Sequence, residues 1–313
     1  MKITGRNVNE LFHNALWNMK TSGRIEKSRA GKVRVIPEPV LLECLRPRER
    51  VLFCEERHEN PIFHFMESLW MLAGRKDASW IGQWNPRMHE FAEADHNFHG
   101  AYGWRWREHF ALDQILVVAR MLRNDPTTRR AVIQMWSVVD DLDMDAKDLP
   151  CNTHIYFRVQ GKTLHMTVCN RSNDLVWGAL GSNIVHFSFL HELIAKGAGL
   201  QVGTMFQFTN NLHIYERHWH FLDVPPDCEQ YIDLEVTPFP LMEGNLPTWL
   251  RECERFTRGQ FHYMKESFFT GVAIPMIQGR VDDIKAKDWQ LAVKRYLERI
   301  KTKPQAGVAL PTP

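Results

Sequence analysis

The sequence predicts an α/β (α+β) domain, and three observations carry that expectation. The runs "THIYFRV" and "TLHMTVCNRSND" are β-rich and flank "QGK", a short Gly-containing link of hairpin type. The segments "NPIFHFMESLWMLAG" and "NIVHFSFLHELIAKGAG" are strongly apolar and carry helix punctuation, Asn-Pro opening the first and Gly closing both. No internal repeat or low-complexity linker divides the 313 residues, a length that one α/β domain can hold.

Taken in order, Val8, Leu11, Phe12, Ala15, Leu16 and Met19 recur at helical spacing, and the segment "SGRIEKSRAGKVRVIPEP" after them is basic, unpatterned and expected to be a mobile loop. The helix around Glu67 is apolar on nearly every face, so it is buried and its carboxylate is unusual there. "NDPTT" is a turn, and Arg129 and Arg130 open the β-rich "RRAVIQMWSV". The hairpin and the second buried helix follow. After about residue 222 the chain is Pro-rich and polar, then ends in a helix, "DDIKAKDWQLAVKRYLERI", and a loose tail, "KTKPQAGVALPTP".

Composition excludes several classes. Apolar residues at 44%, charged residues at 24% and a formal charge of +2 give no case for bulk nucleic-acid binding, so an anionic ligand must be held by a local cluster. Six cysteines form no CxxC pair and no zinc spacing with histidine, which leaves no expected metal and reads as free thiols in a reducing cytoplasm. No signal-peptide core and no run of roughly 18 apolar residues occurs, so a soluble, cytoplasmic protein is expected, away from membranes.

Cys151, between a proline and an asparagine at the start of the hairpin, is either a small core residue or a nucleophile. Arg171, Ser172 and Asp174 in "NRSND" arrive at the end of the paired strand, where a cation can lower a thiol pKa and bind an anion. Arg129 and Arg130 are either a solvated loop end or a forked pair of donors suited to a phosphate dianion. Glu67 is either a helix-pairing ion-pair partner or a catalytic carboxylate.

In this order and spacing, "NDPTTRRAVIQMW", "LPCN", "NRSNDLVWG", "SNIVHFSFLHELIA" and "NNLHIYERH" resemble thymidylate synthase and its relatives, the pyrimidine nucleotide hydroxymethylases, densely from about residue 60 to 220. The resemblance implies a large mixed β-sheet flanked by helices, with the sheets packed back to back in a homodimer. It implies one domain over 1–313: a helix and basic phosphate loop in 1–60, a catalytic core in 61–222 and a divergent region in 223–313. Cys151 then matches the nucleophile that adds to C6 of the nucleotide, making C5 a carbon nucleophile toward 5,10-methylenetetrahydrofolate. Arg29, Arg129, Arg130, Arg171 and Ser172 match phosphate ligands, the Arg129 and Arg130 pair from the neighbouring subunit, and Arg171 also assists thiol deprotonation. His213 and Tyr215 match sugar contacts, Asp174 the pterin contact, and Trp84 and Gly178 further folate contacts. Glu67 matches the buried glutamate that organises water and moves protons around O4 and C5. Asn183 matches the base-reading carboxamide, which donates to O4 and accepts from N3–H of uracil, whereas a carboxylate suits cytosine.

Three features depart from the housekeeping synthases: Asn152 follows the cysteine, "GALGSN" is one residue longer than their base loop, and the C-terminus lacks their short apolar tail. That tail keeps water out while hydride reaches the exocyclic methylene; where water enters, the product is 5-hydroxymethyl. The expectation is a dUMP hydroxymethylase of the kind that makes modified DNA bases, with thymidylate synthase, then dCMP hydroxymethylase, as the alternatives. A non-catalytic nucleotide- or RNA-binding homologue would not need the thiol. A Cys/His hydrolase using His154 or His213 lacks an orienting partner and an oxyanion loop.

Overall fold

A computed structural model of the chain describes residues 1–29 and 31–302. Among these, strands β1 (Lys2–Gly5), β4 (Val40–Cys44), β5 (Val132–Gln134), β6 (Asn152–Gln160), β7 (Thr163–Asn170) and β9 (Gln201–Thr209) form a mixed sheet in the order β1-β4-β9-β7-β6-β5. A second sheet, β2-β3-β10-β8, joins β2 (Arg24–Ser28), β3 (Gly31–Val35), β8 (Asn173–Asp174) and β10 (Leu212–Tyr215). The longer helices are α1 (Val8–Ser22), α2 (Pro61–Leu72), α3 (Gln114–Asn124), α4 (Asn183–Ala198), α5 (Leu246–Thr257) and α6 (Lys287–Thr302).

Both buried helices stand where the sequence places them. Asn60 caps α2 by accepting from Phe63 N, Pro61 occupies its first turn, and all of its residues are buried. α4 buries every residue except Lys196 and stops at Gly199, whose φ of +76° is a left-handed cap. α4 packs on β7, β9 and α3, α2 packs on α4, and α5 and α6 pack against α2. The hairpin β6–β7 turns at Gly161, φ +61°. Its pleat sends Ile155, Phe157, Leu164, Met166 and Val168 into the core. On the opposite face Val132, Tyr156, Thr167, Phe206 and Glu43 pair across in one register row; Val132 and Tyr156 are exposed, as is Phe208 one register row along.

Four expectations are corrected. The basic segment after α1 is the β2–β3 hairpin, formed because β3 pairs antiparallel with β10, although every residue of β2 is exposed. β5 begins at Val132, not at Arg129, and Arg129 and Arg130 are exposed in the bend before it. α5 and β9 interrupt stretches that carried no expected element. The last helix starts at Lys287, with Val281–Asp283 a separate short turn. Of the expected tail, residues 303–313 with "VALPTP" lie outside the described residues.

A buried ion pair ties the wall of the molecule near β5 together. The Arg105 guanidinium grips both oxygens of Asp141 at 2.7 Å and also donates to the carbonyls of Met135 and His99, with both side chains fully buried. Burial pushes the Asp141 carboxyl up, but hydrogen bonds from Arg105, Ser137 N–H and His99 outweigh it and hold the group below the usual aspartate range. Removing one partner leaves a buried charge uncompensated. Asp141→Ala is therefore expected to lose about 3 to 5 kcal/mol in urea unfolding; a loss under about 1 kcal/mol would show that Arg105 finds water instead.

Candidate active site

The carboxyl end of β7, the first turn of α4 and the second sheet enclose an open cleft of about 1290 Å³. Cys151, Glu67, Asn183, Ser172, Asp174, Gly178, His213 and Tyr215, eight of the site residues expected from the sequence, line it. Ser172, His213 and Tyr215 also line a second hollow, with Arg29 on the β2–β3 hairpin. The cleft and this basic hollow are thus continuous.

Cys151 precedes a register shift between Asn152 and His154, a bulge that re-aims the chain where β6 begins. Asn152 is fully buried and donates to Cys169 O and Asn170 Oδ1, both at 3.1 Å, fixing the start of the strand behind the thiol. Arg171 is exposed; its N–H bonds Cys151 O at 2.9 Å and its guanidinium donates to Pro150 O at 3.0 Å and Leu149 O at 3.1 Å, so it clasps the loop that carries the thiol. Burial pushes the Cys151 thiol up; Arg171 and Arg29 pull it down, and Asp148 adds to the rise. The expected help from Arg171 is present in sign but smaller than desolvation, so the thiol of the ligand-free protein sits above its ordinary value.

Asn183 is reached through a π-helical turn, Leu175–Ser182, broken at Leu180. The wide winding of this turn delivers Asn183, the last residue of "GALGSN", to the cleft. Its Nδ2 donates to Asn173 Oδ1 at 3.1 Å, and Asn173 in turn donates to Gln207. This chain leaves Asn183 an acceptor oxygen and one N–H for a base. Asp174 accepts from the N–H groups of Val176 and Trp177, so it caps the turn while lining the cleft. His213 and Tyr215 sit on one face of β10, rings 5.1 Å apart, and His213 Nδ1 meets Asn211 Oδ1 at 2.9 Å. Burial pushes His213 below the usual histidine value, against the carboxylate of Asp174.

Glu67 faces His186 across the helix pair, Oε2 to Nε2 at 3.0 Å. His64 lies close by, held by Ser182 Oγ at 2.9 Å and Glu59 at 2.8 Å, so that ligand-capable atoms of His64, Glu67 and His186 fall within 4.8 Å of one another. The sequence named neither histidine, because each sits in an apolar helical run like any core residue. Tyr102, whose hydroxyl burial pushes well above the ordinary tyrosine value, and Asp148, with a carboxyl that burial pushes up to about 6, also line the cleft unforeseen. Trp177 and Phe91, both about half exposed, stand on its wall.

Four of the expected site residues, Trp84, Arg129, Arg130 and Arg171, line neither the cleft nor the hollow. Trp84 is buried and packs its ring 6.0 Å from Trp80 rather than lining the cleft; Trp177 supplies the aromatic surface there. Arg129 and Arg130 do not line the cleft of their own chain. His154, the base of the hydrolase alternative, pairs with Gln134 and Cys169 on the sheet and does not line the cleft with Cys151.

A family model described as thymidylate synthase matches residues 59–252, which include every cleft residue named above. The chain belongs to the thymidylate synthase family. It is 38% identical to the deoxyuridylate hydroxymethyltransferase of Pseudomonas phage M6, over 95% of this chain and 93% of that protein. It is 34% identical to the deoxyuridylate hydroxymethyltransferase of Bacillus phage SP01, over 68% of this chain and 58% of that protein. To the thymidylate synthase of Symbiobacterium thermophilum it is 31% identical, over 61% of this chain and 69% of that protein. Both kinds of relative are transferases. No helix among the described residues is long and apolar enough to cross a membrane.

The charge balance at the thiol is testable without substrate. Iodoacetamide should alkylate Cys151 slowly at pH 8 and faster as pH rises, and Arg171→Gln should slow the reaction at pH 8 roughly three- to tenfold, because a cation that favours the thiolate is lost. Peptide mass mapping separates Cys151 from the other five thiols. An unchanged or faster rate would mean that the clasp on Leu149 and Pro150, not the charge, is what Arg171 contributes.

Proposed function

We propose that this chain moves a one-carbon unit from 5,10-methylenetetrahydrofolate to C5 of dUMP and releases 5-hydroxymethyl-dUMP. The observation that carries the reading is the meeting of the Cys151 thiol, the buried Glu67 and the carboxamide of Asn183 in one cleft. The hydroxymethyltransferase of phage M6 matches nearly the whole chain, while the synthase of Symbiobacterium matches 61% of it. That contrast favours the hydroxymethyl product over thymidylate.

In this reading Cys151 Sγ bonds to C6 of the base, and the activated C5 takes the carbon that the folate supplies. Asn183 holds uracil rather than cytosine through its free oxygen and N–H. Arg29, Arg171 and Ser172 receive the phosphate at the basic end, and His213 and Tyr215 the sugar. The half-exposed rings of Trp177 and Phe91, beside Asp174 and Gly178, fit a flat heteroaromatic ring with amine donors at its edge.

A second copy of the chain completes the phosphate site. The open face of the six-stranded sheet carries Val132, Tyr156 and Phe208 exposed, an apolar patch suited to a homodimer with the sheets back to back. Arg129 and Arg130 are exposed just before β5, at the edge of that face, so in such a dimer they reach the partner's cleft.

The test is to incubate the wild-type protein with dUMP and 5,10-methylenetetrahydrofolate. The nucleotide should gain the mass of a hydroxymethyl group, with no rise in dihydrofolate absorbance. Stoichiometric thymidylate and dihydrofolate would identify a synthase, and no change in dUMP would leave only a binding protein.

A further inference from the structure

Asn183 and His186 are three residues apart on α4 and so project from one face of it, and both line the cleft beside Glu67. His186 is 1% exposed, its Nε2 approaches Glu67 Oε2 at 3.0 Å without hydrogen-bond geometry, and neither ring nitrogen nor Glu67 Oε2 has a hydrogen-bonding partner among the described residues. Burying an imidazole nitrogen with nothing on it is unfavourable, and an apolar side chain would fill the space between α2 and α4 without that defect. The arrangement makes sense when something polar enters the cleft and meets the pair. His64 backs it from the other side, fixed at Nδ1 by Ser182 and at Nε2 by Glu59.

Resting on the hydroxymethyl reading above, we propose that His186 is a positioning residue for hydration of the exocyclic carbon: it holds Glu67, and the pair orients a water molecule and takes its proton. The water oxygen bonds to the exocyclic carbon of the Cys151-bound nucleotide. The π pair between that carbon and C5 moves through C4 onto O4 as an enolate, which re-forms the C5–C6 double bond and expels the Cys151 thiolate. One water proton passes to the Glu67–His186 pair and the other stays on the new hydroxyl. Loss of His186 therefore spares the steps before hydration and slows hydration itself.

The experiment is a single turnover with enzyme in excess over dUMP tritiated at C5, in the presence of 5,10-methylenetetrahydrofolate, for the wild type, His186→Gln and His186→Phe. Tritium release reports the steps through loss of the C5 proton, and 5-hydroxymethyl-dUMP reports hydration. The mass of the quenched protein reports nucleotide left on Cys151. The variants should release tritium within about threefold of the wild type, form product at least about tenfold more slowly and retain the nucleotide with its extra carbon on Cys151. Parallel loss of tritium release and product, product at the wild-type rate, or failure of both variants to fold would overturn the role. Thymidylate from the wild type would instead overturn the hydroxymethyl reading, and it is seen before any variant is made.

Discussion

Two helices buried on every side, α2 and α4, meet under the cleft, and the rest of the site follows from that contact. Neither has a solvent-facing stripe, so their polar side chains find partners in neighbouring elements, as Glu192 does with Arg50 and His191 with Leu164 O, or in one another and in what the cleft admits. Glu67 on α2 meets His186 on α4, and His64 on α2 meets Ser182 just before α4. The π-helical turn that leads into α4 places Asn183 beside them, and Asn173 and Gln207 hold its amide from the sheet side. The polar groups gathered where the two helices meet the cleft define both its floor and its chemistry.

Against that floor the thiol is set by opposing effects, of which desolvation is the largest. Desolvation raises Cys151 and the nearby carboxyl of Asp148 adds to the rise, while Arg171 and Arg29 act the other way. Arg29 belongs to a hairpin whose β2 residues are all exposed and which is anchored through β3, by its pairing with β10 and the buried Val33 and Val35. The cations lining the basic hollow, Lys27 and Arg29, are therefore carried by the exposed arm of the hairpin and its turn. Asp148, pushed up to about 6 by burial, is a carboxyl in the cleft that ionises close to neutral pH.

Much of this was legible in the residues. The β6–β7 hairpin, α2 and α4 announce themselves by pattern and punctuation, and eight of the expected site residues line one cleft. What escaped has physical causes. β2 has no buried face, so no alternation marks it, and in β9 the buried Gly203 and Gln207 interrupt the apolar set. α5 opens with Asn245 and Pro247 inside a polar stretch that reads as loop, although the same residues are a cap and a first-turn proline. His186 and Tyr102 look like core residues in sequence, because what distinguishes them is a neighbour from another element. Trp84 illustrates the reverse: a tryptophan at a suggestive place that serves packing with Trp80.

In the proposed reaction Cys151 forms a covalent bond to C6 of the pyrimidine while the folate carbon is attached at C5. 5-Fluoro-dUMP probes it directly, because fluorine at C5 cannot leave as the proton does and the adduct persists. The protein is incubated with 5-fluoro-dUMP and 5,10-methylenetetrahydrofolate, denatured and digested, and its cysteine peptides are weighed. The peptide containing Cys151 should gain the mass of the nucleotide and the folate together; no adduct, or an adduct on another of the six cysteines, would contradict the claim.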